Sequence, residues 1–176
     1  CPIGEGTYEG IIASSDVAVS GAYAIMKDIR NGNEKSVAYS LCRPPGHHAF
    51  ADQAGGFCFF NNSAIAAQVC LDNGAKRIAI LDIDVHHGNG TQGIFYHRSD
   101  VFTISLHGDP FFYYPFFAGY ADEIGSDEGT EYNLNYPLPR GTNDENYLKV
   151  LNEAVDKVTI YQPDVLIVCL LYTSPS

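Results

Sequence analysis

The chain has 176 residues, 45% hydrophobic and 12% aromatic, a length and composition that suit one domain around a buried core. Ten Lys and Arg against 21 Asp and Glu give a net charge of −11, a surface that repels phosphate backbones and anionic membranes and draws in cations, amines included. Direct nucleic-acid binding is not expected, and neither is membrane insertion, because the longest purely apolar stretch, residues 165–171, cannot span a bilayer. No basic segment followed by an apolar signal core opens the chain. The five cysteines (Cys1, Cys42, Cys58, Cys70, Cys169) form no close pair, which argues against a disulfide framework and a metal knuckle and fits reduced thiols in a cytoplasmic setting.

In chain order, residues 14–29 carry a Ser/Asp start signal at Ser15 or Asp16 and apolar residues at helical spacing, and Asn31, Gly32 and Asn33 close that helix. Residues 36–41 (SVAYSL) read as a short strand stopped by the prolines of Arg43-Pro44-Pro45-Gly46. Residues 61–72 read as a helix capped by Asn61 or Asn62 and closed at Gly74, and it feeds a β-branched strand over 77–84. A strand follows over 101–106, then a long aromatic and Gly-rich connection over 108–139, an amphipathic helix over 142–161 and a strand over 164–168. Strands alternating with helices predict an α/β domain with a mainly parallel sheet flanked by helices.

The chemistry concentrates in Asp82-Ile-Asp84-Val-His86-His87-Gly88. On an extended strand Asp82, Asp84 and His86 share one side, at the carboxyl edge where open α/β sheets bind ligands. Two carboxylates there are costly unless a cation compensates them, and a divalent metal is the natural compensator. Gly88-Asn-Gly90-Thr-Gln-Gly93 also spells a dinucleotide fingerprint, but two histidines separate it from the strand and no acidic residue closes the next one. A second imidazole doublet, His47-His48, follows a rigid Pro-Gly loop and suits acid/base work near neutral pH. With His86 and His87, four of the six histidines follow strands in doublets, which points to one shared site, whereas His97 reads as a surface residue. Gly55-Gly56-Phe57 and Tyr114-Pro115-Phe116-Phe117 offer a ligand approach and aromatic walls.

Taken together, RPPGHHA (43–49), GGFCFFNN (55–62), ILDIDVHHGNGTQ (80–92), SLHGDP (105–110), YPFFAGYADEIG and NLNYPLPRGT resemble the zinc-dependent deacetylases of the arginase/deacetylase fold, and most of all acetylpolyamine amidohydrolases and class II histone deacetylases. The resemblance implies that Asp84 and His86 are zinc ligands, that Asp82 hydrogen-bonds His47, and that His48 is the general base for a zinc-activated water with Asn89 orienting it. It assigns electrostatic help and protonation to His47, a substrate tunnel to Gly56, Phe57 and Phe117, and a structural potassium site to Asp82, Ser105 and Leu106. The expected substrate is an acetylated polyamine or an acetyl-lysine, with zinc or iron as the metal and a homo-oligomer left open. The alternative is a non-catalytic binder of acylated amines on the same fold. Residues 1–168 are expected to be part of a catalytic domain and 169–176 (CLLYTSPS) a non-native tail. The family's third zinc ligand and catalytic Tyr would lie beyond, so the polypeptide as written is expected to be inactive.

Overall fold

The computed structural model describes residues 3–33 and 35–170. Helix α1, Thr7–Arg30, buries one stripe (Ile11, Ser14, Ser15, Ala18, Ala22, Met26) whose three- and four-residue spacing is that of a helix packing on one side. Glu9 in its first turn and Lys27 and Arg30 in its last complement the helix dipole. The helix starts a full two turns before the Ser15/Asp16 start expected from sequence, behind Gly6. Ser15 is not a cap: it is buried, and its hydroxyl reaches the Asn62 side chain, while the neighbouring Ser14 hydroxyl donates to the Pro44 carbonyl. Helix α2, Asn62–Asp72, is capped by Asn61, as expected. The Asn61 amide oxygen accepts from the Ala64 N–H at 3.0 Å, and its nitrogen donates to Ala49 O and Thr91 Oγ1, both at 3.0 Å. Asn61→Ala is expected to cost about 2 kcal/mol, cap and orphaned acceptors together, read as a lower urea midpoint at unchanged slope; a shift equivalent to less than about 0.5 kcal/mol would refute it.

Four strands, β1 Ile78–Asp82, β2 Val101–Gly108, β3 Asn133–Leu138 and β4 Val165–Cys169, form one all-parallel sheet in the order β3-β2-β1-β4. Helices α1 and α2 and the short α3, Asn89–Phe95, pack on one face over Ile78, Ile80 and Val101. Helix α4, Asp144–Tyr161, covers the other over Ala79, Leu81, Phe102 and Ile104. The even and odd residues of β1 therefore go to opposite layers, and the strand is buried throughout, as a central parallel strand must be. From β1 the chain proceeds outward through α3 to β2 and β3, then returns through α4 to β4 on the other side of β1. That reversal places the sheet's switch point at the carboxyl end of β1, where Asp82 stands.

Several sequence expectations differ from this fold. Residues 36–41 join no ladder among the described residues; Val37, Tyr39 and Leu41 are exposed, while Ser40 bonds back to Val17 of α1. The alternation that suggested a strand is real, but nothing described pairs with it. Strand β1 ends at Asp82, not at 84, and the 88–93 glycine run opens α3. The 108–139 connection contains β3 and a 3-10 turn at Asp127–Gly129. β3 escaped notice because its inward residues, Asn133 and Asn135, are polar and meet a hydrogen-bond network instead of an apolar core. Cys169, assigned from sequence to a non-native tail, completes β4 opposite Asp82; residues 171–176 of that tail lie outside the described residues. No helix among the described residues is long and apolar enough to cross a membrane.

Candidate active site

Because β1 stops at Asp82, the residues after it leave the sheet and fold back over its end. Asp82 Oδ1 accepts the Asp84 N–H at 3.0 Å, and Asp84 Oδ1 accepts the His86 N–H at 2.7 Å, so each carboxylate steers the chain two residues on. The Pro-Gly loop delivers His47 and His48 to the same place. Their rings lie 4.0 Å apart, both buried. His47 Nδ1 is 2.8 Å from Asp82 Oδ2, and His48 Nδ1 is 2.7 Å from Asn89 Oδ1. Turn hydrogen bonds, and not strand alternation, set Asp82, Asp84 and His86 in succession at the strand's end, with Asp84 Oδ1 3.3 Å from His86 Nδ1.

The two imidazoles are electrostatically unlike. Burial alone would depress His47, but the Asp82 carboxylate in contact, helped by Asp84, outweighs it and holds His47 above the ordinary imidazole value. Burial, and then the neighbouring His47, pushes His48 down to about 4 against the Asn89 hydrogen bond. His48 is therefore neutral near pH 7, with a free ring lone pair, while His47 keeps its proton to higher pH than an ordinary imidazole. His47 Nε2 is buried with no hydrogen-bond partner among the described residues and stands 3.9 Å from Asp84 Oδ1, on the side of the ring away from Asp82.

Asp84 and His86 present donor atoms 3.3 Å apart, Oδ1 and Nδ1. Burial would raise the Asp84 pKa, but hydrogen bonds from His86 and the nearby His47 outweigh it and keep the carboxylate ionised. An oxygen and an imidazole nitrogen beside an orphaned buried nitrogen are a donor set that suits zinc. Cys169 also brings its sulfur within 4.8 Å of donor atoms of His47 and Asp82. Enclosure holds that thiol well above its usual pKa, and His47 and Asp82 satisfy each other, so that trio reads as a hydrogen-bonded cluster.

Glycines allow the close approaches. A Cβ on Gly56, whose φ is +52°, would meet the His48 ring at 2.1 Å, and one on Gly88 would meet Asp82 Oδ2 at 2.4 Å. The N–H groups of Gly90 and Thr91 at the start of α3 donate to His47 O at 3.0 and 3.1 Å. The glycine fingerprint is thus spent on gripping the histidine loop, and its amides are not free for a phosphate. Phe57 and Phe117 are both exposed, Phe57 beside the Gly56 contact and Phe117 on the loop whose Tyr114 packs edge-on to His48 with centroids 4.8 Å apart.

The expected potassium residues divide. Ser105 sits opposite Asp82 in the β1–β2 register and bonds His107 Nδ1 at 2.8 Å, whereas the Leu106 side chain belongs to the apolar layer under α4. Of the two histidine doublets, only His47, His48 and His86 meet. His87 turns away to Gln92 and lies 4.6 Å from the His107 ring, and burial pushes it down to about 3. His97 is exposed and pairs with Asp127, as a surface residue does. A groove of about 500 Å3 is lined by Phe50, Phe59, Phe60, Ile94 and Arg98 among others and by none of the expected site residues. Sequence reasoning missed His107, Gln92, Glu123, Asn133 and Asn135 as a group, although all lie in the quoted motifs.

An open parallel sheet carrying paired imidazoles and carboxylates at its switch point defines an α/β protein with an acid/base and metal-ligating constellation. The chain belongs to the histone deacetylase domain family, whose model matches residues 1–170. It is 55% identical over 169 residues to acetylpolyamine amidohydrolase 2 of Pseudomonas aeruginosa, covering 96% of this chain and 47% of that protein. It is 48% identical over 168 residues to acetylpolyamine amidohydrolase of Mycoplana ramosa, covering 96% and 48%. The crystal structure of an acetylpolyamine aminohydrolase from Burkholderia pseudomallei superposes with a TM-score of 0.90 at 44% identity, over 97% of this chain and 48% of that one. The chain thus spans about half the length of the curated relatives it matches.

Proposed function

We propose that this chain supplies the acid/base half of a metal-dependent amidohydrolase that releases acetate from acetylated amines, an acetylpolyamine first and acetyl-lysine second. The observation that carries the reading is the imidazole pair 4.0 Å apart with oppositely displaced proton affinities. Two relatives bear the name acetylpolyamine amidohydrolase, and the chain's net charge of −11 suits a cationic substrate.

Asp84 and His86 would hold the metal, zinc or iron, which when bound polarises an amide carbonyl and lowers the pKa of water. Asn89 fixes the His48 ring through Nδ1, which leaves Nε2 as the lone pair that takes a proton from the attacking water. Water oxygen then bonds to the acetyl carbon, the carbon–nitrogen bond breaks, and the amine leaves with a proton. His47, tethered by Asp82 and with Nε2 unpaired, holds that proton and offsets the negative charge that develops on the acetyl oxygen. Phe57 and Phe117 form the apolar slot for the alkyl chain, with Gly56 giving it access to His48. Asp82 and Ser105 would contribute to a potassium site, together with the Leu106 backbone.

With Asp84 and His86 as the metal ligands it contributes, the 176-residue chain alone should retain zinc poorly and turn over little; stoichiometric zinc or robust turnover would overturn that. The amidohydrolase reading is tested in a chimera in which residues 1–168 replace the matching part of the Pseudomonas aeruginosa relative. Zinc-dependent acetate release from N-acetylputrescine is expected to exceed that from an acetyl-lysine peptide, and His48→Ala should lower kcat by about 100-fold to 10,000-fold. A folded chimera that binds N-acetylputrescine but releases no acetate would end the reading.

A further inference from the structure

Residues from three motifs that the proposed reaction leaves unused meet beside the aromatic loop: Gln92 of HHGNGTQ, Glu123 of YADEIG, and Asn133 and Asn135 of NLNYPLP. Gln92, Asn133 and Asn135 are buried. The Gln92 amide oxygen accepts from Asn133 at 2.9 Å and from Asn135 at 2.8 Å and lies 3.1 Å from His87 Nε2, while its nitrogen donates to Glu123 Oε2 at 2.5 Å. That carboxylate accepts the N–H of Gly119 at 2.9 Å and of Tyr120 at 3.2 Å. His107 Nε2 donates to Gly119 O at 2.9 Å, and Asn135 donates to Tyr120 O at 3.2 Å. Both amides and both carbonyls of Gly119-Tyr120 are thereby held by side chains. Gly119 is required, since its φ is +109° and a Cβ would meet His107 Nε2 at 2.7 Å.

The held dipeptide is connected to the imidazoles. The Tyr120 hydroxyl donates to Phe116 O at 3.1 Å, the Phe116 ring lies edge-on to Tyr114 at 6.4 Å, and Tyr114 lies edge-on to His48 at 4.8 Å. Phe116 is 57% exposed and has φ +68°, a left-handed backbone that a bulky residue keeps only when its surroundings impose it. Within this network Asn135 Oδ1 and His87 Nδ1 are buried with no hydrogen-bond partner among the described residues, so it costs more than apolar packing that would fasten the loop equally well. Helix α3 begins with Asn89, which holds His48, and carries Gln92 one turn later, so one helix fixes both the base and the anchor.

We propose that Gln92 and Glu123 are positioning residues, a clamp that sets the Tyr114–Phe116 wall at a fixed place against His48. What the wall grips rests on the amidohydrolase reading; the clamp itself does not.

The test uses the full 176-residue chain with 4-fluorophenylalanine at position 116. Glu123→Gln turns an amide donor toward one of the two backbone N–H groups, of Gly119 or Tyr120, and Gln92→Glu sets carboxylate against carboxylate. In both, amide exchange over 111–122 should quicken about tenfold, as loss of a hydrogen bond to a charged acceptor implies, while β1 and β2 keep their protection. The fluorine resonance should move toward its solvent-exposed position. Should both variants lose protection globally, Tyr120→Phe, which removes only the exposed strut, should still shift the fluorine signal with β1 intact. Unchanged exchange over 111–122 in the folded variants, or an unmoved fluorine resonance, overturns the clamp. A chimera without acetate release would leave these readouts, and so the clamp, standing.

Discussion

Asp82→Asn should be the most damaging single substitution in this chain, lowering stability by about 3–5 kcal/mol, because removing one partner of a buried pair leaves the other charge uncompensated. Asp82 is 3% exposed, bonds the His47 ring and accepts the Asp84 N–H, so it holds both the imidazole and the turn that carries Asp84 and His86. An asparagine has one acceptor oxygen for two donors, the His47 Nδ1–H and the Asp84 N–H. Whichever it leaves unpaired, His47 loses the carboxylate charge that raises its proton affinity. In the chimera kcat should fall by about 100-fold or more even at temperatures where the variant is folded. Urea unfolding of the chain and turnover of the chimera check the two halves separately. A stability change below about 1 kcal/mol would mean that the pair is not what holds this turn.

Acid should destabilise the protein well before its carboxylates titrate. His48 is depressed to about 4 and His87 to about 3, both chiefly by burial, from an ordinary value of 6.5. Between pH 6.5 and 4 the unfolded chain therefore binds protons that the folded chain refuses, and stability falls as pH falls. From pH 7 to 5 each ring should contribute a loss of about 2 kcal/mol. His47 works in the other direction and elsewhere: its raised value adds stability below 6.5 that is lost as pH rises through its folded value. Asp84, depressed in the fold, adds a further loss only as pH falls through the carboxylate range. Urea midpoints at pH 7 and 5 should differ accordingly, and His87→Gln should remove about half of the difference. Equal midpoints at the two pH values would show that these rings are not held neutral.

The chemistry of the site was legible in the residues because it depends on types at short spacing. Two carboxylates within three positions, and imidazoles in doublets after strand signals, announce a compensating cation and acid/base work wherever they fold. Asn61 was legible as a cap for the same reason, since a cap acts on the N–H three residues on. The resemblance carried the pairings of Asp82 with His47 and Asn89 with His48, and both are present at hydrogen-bond distance.

What failed were expectations whose cause lies far along the chain. Ser15 looked like a helix start because local rules assign such residues to caps, whereas its hydroxyl bonds back to Ile11 O within the helix and reaches Asn62, 47 positions away. β3 was invisible because its inward side chains bond to Gln92, 41 and 43 residues earlier, where pattern reading expects apolar residues. The second histidine doublet was split by the turn beyond β1, which sends His86 toward His48 and His87 toward Gln92. The sequence by itself determined the class of sheet, the helices and the reacting groups, since periodicity and residue chemistry are local properties. Only the tertiary structure decided which imidazole keeps a proton and which polar residues share a network, because proton affinity and hydrogen-bond satisfaction depend on burial and on neighbours that folding alone brings together.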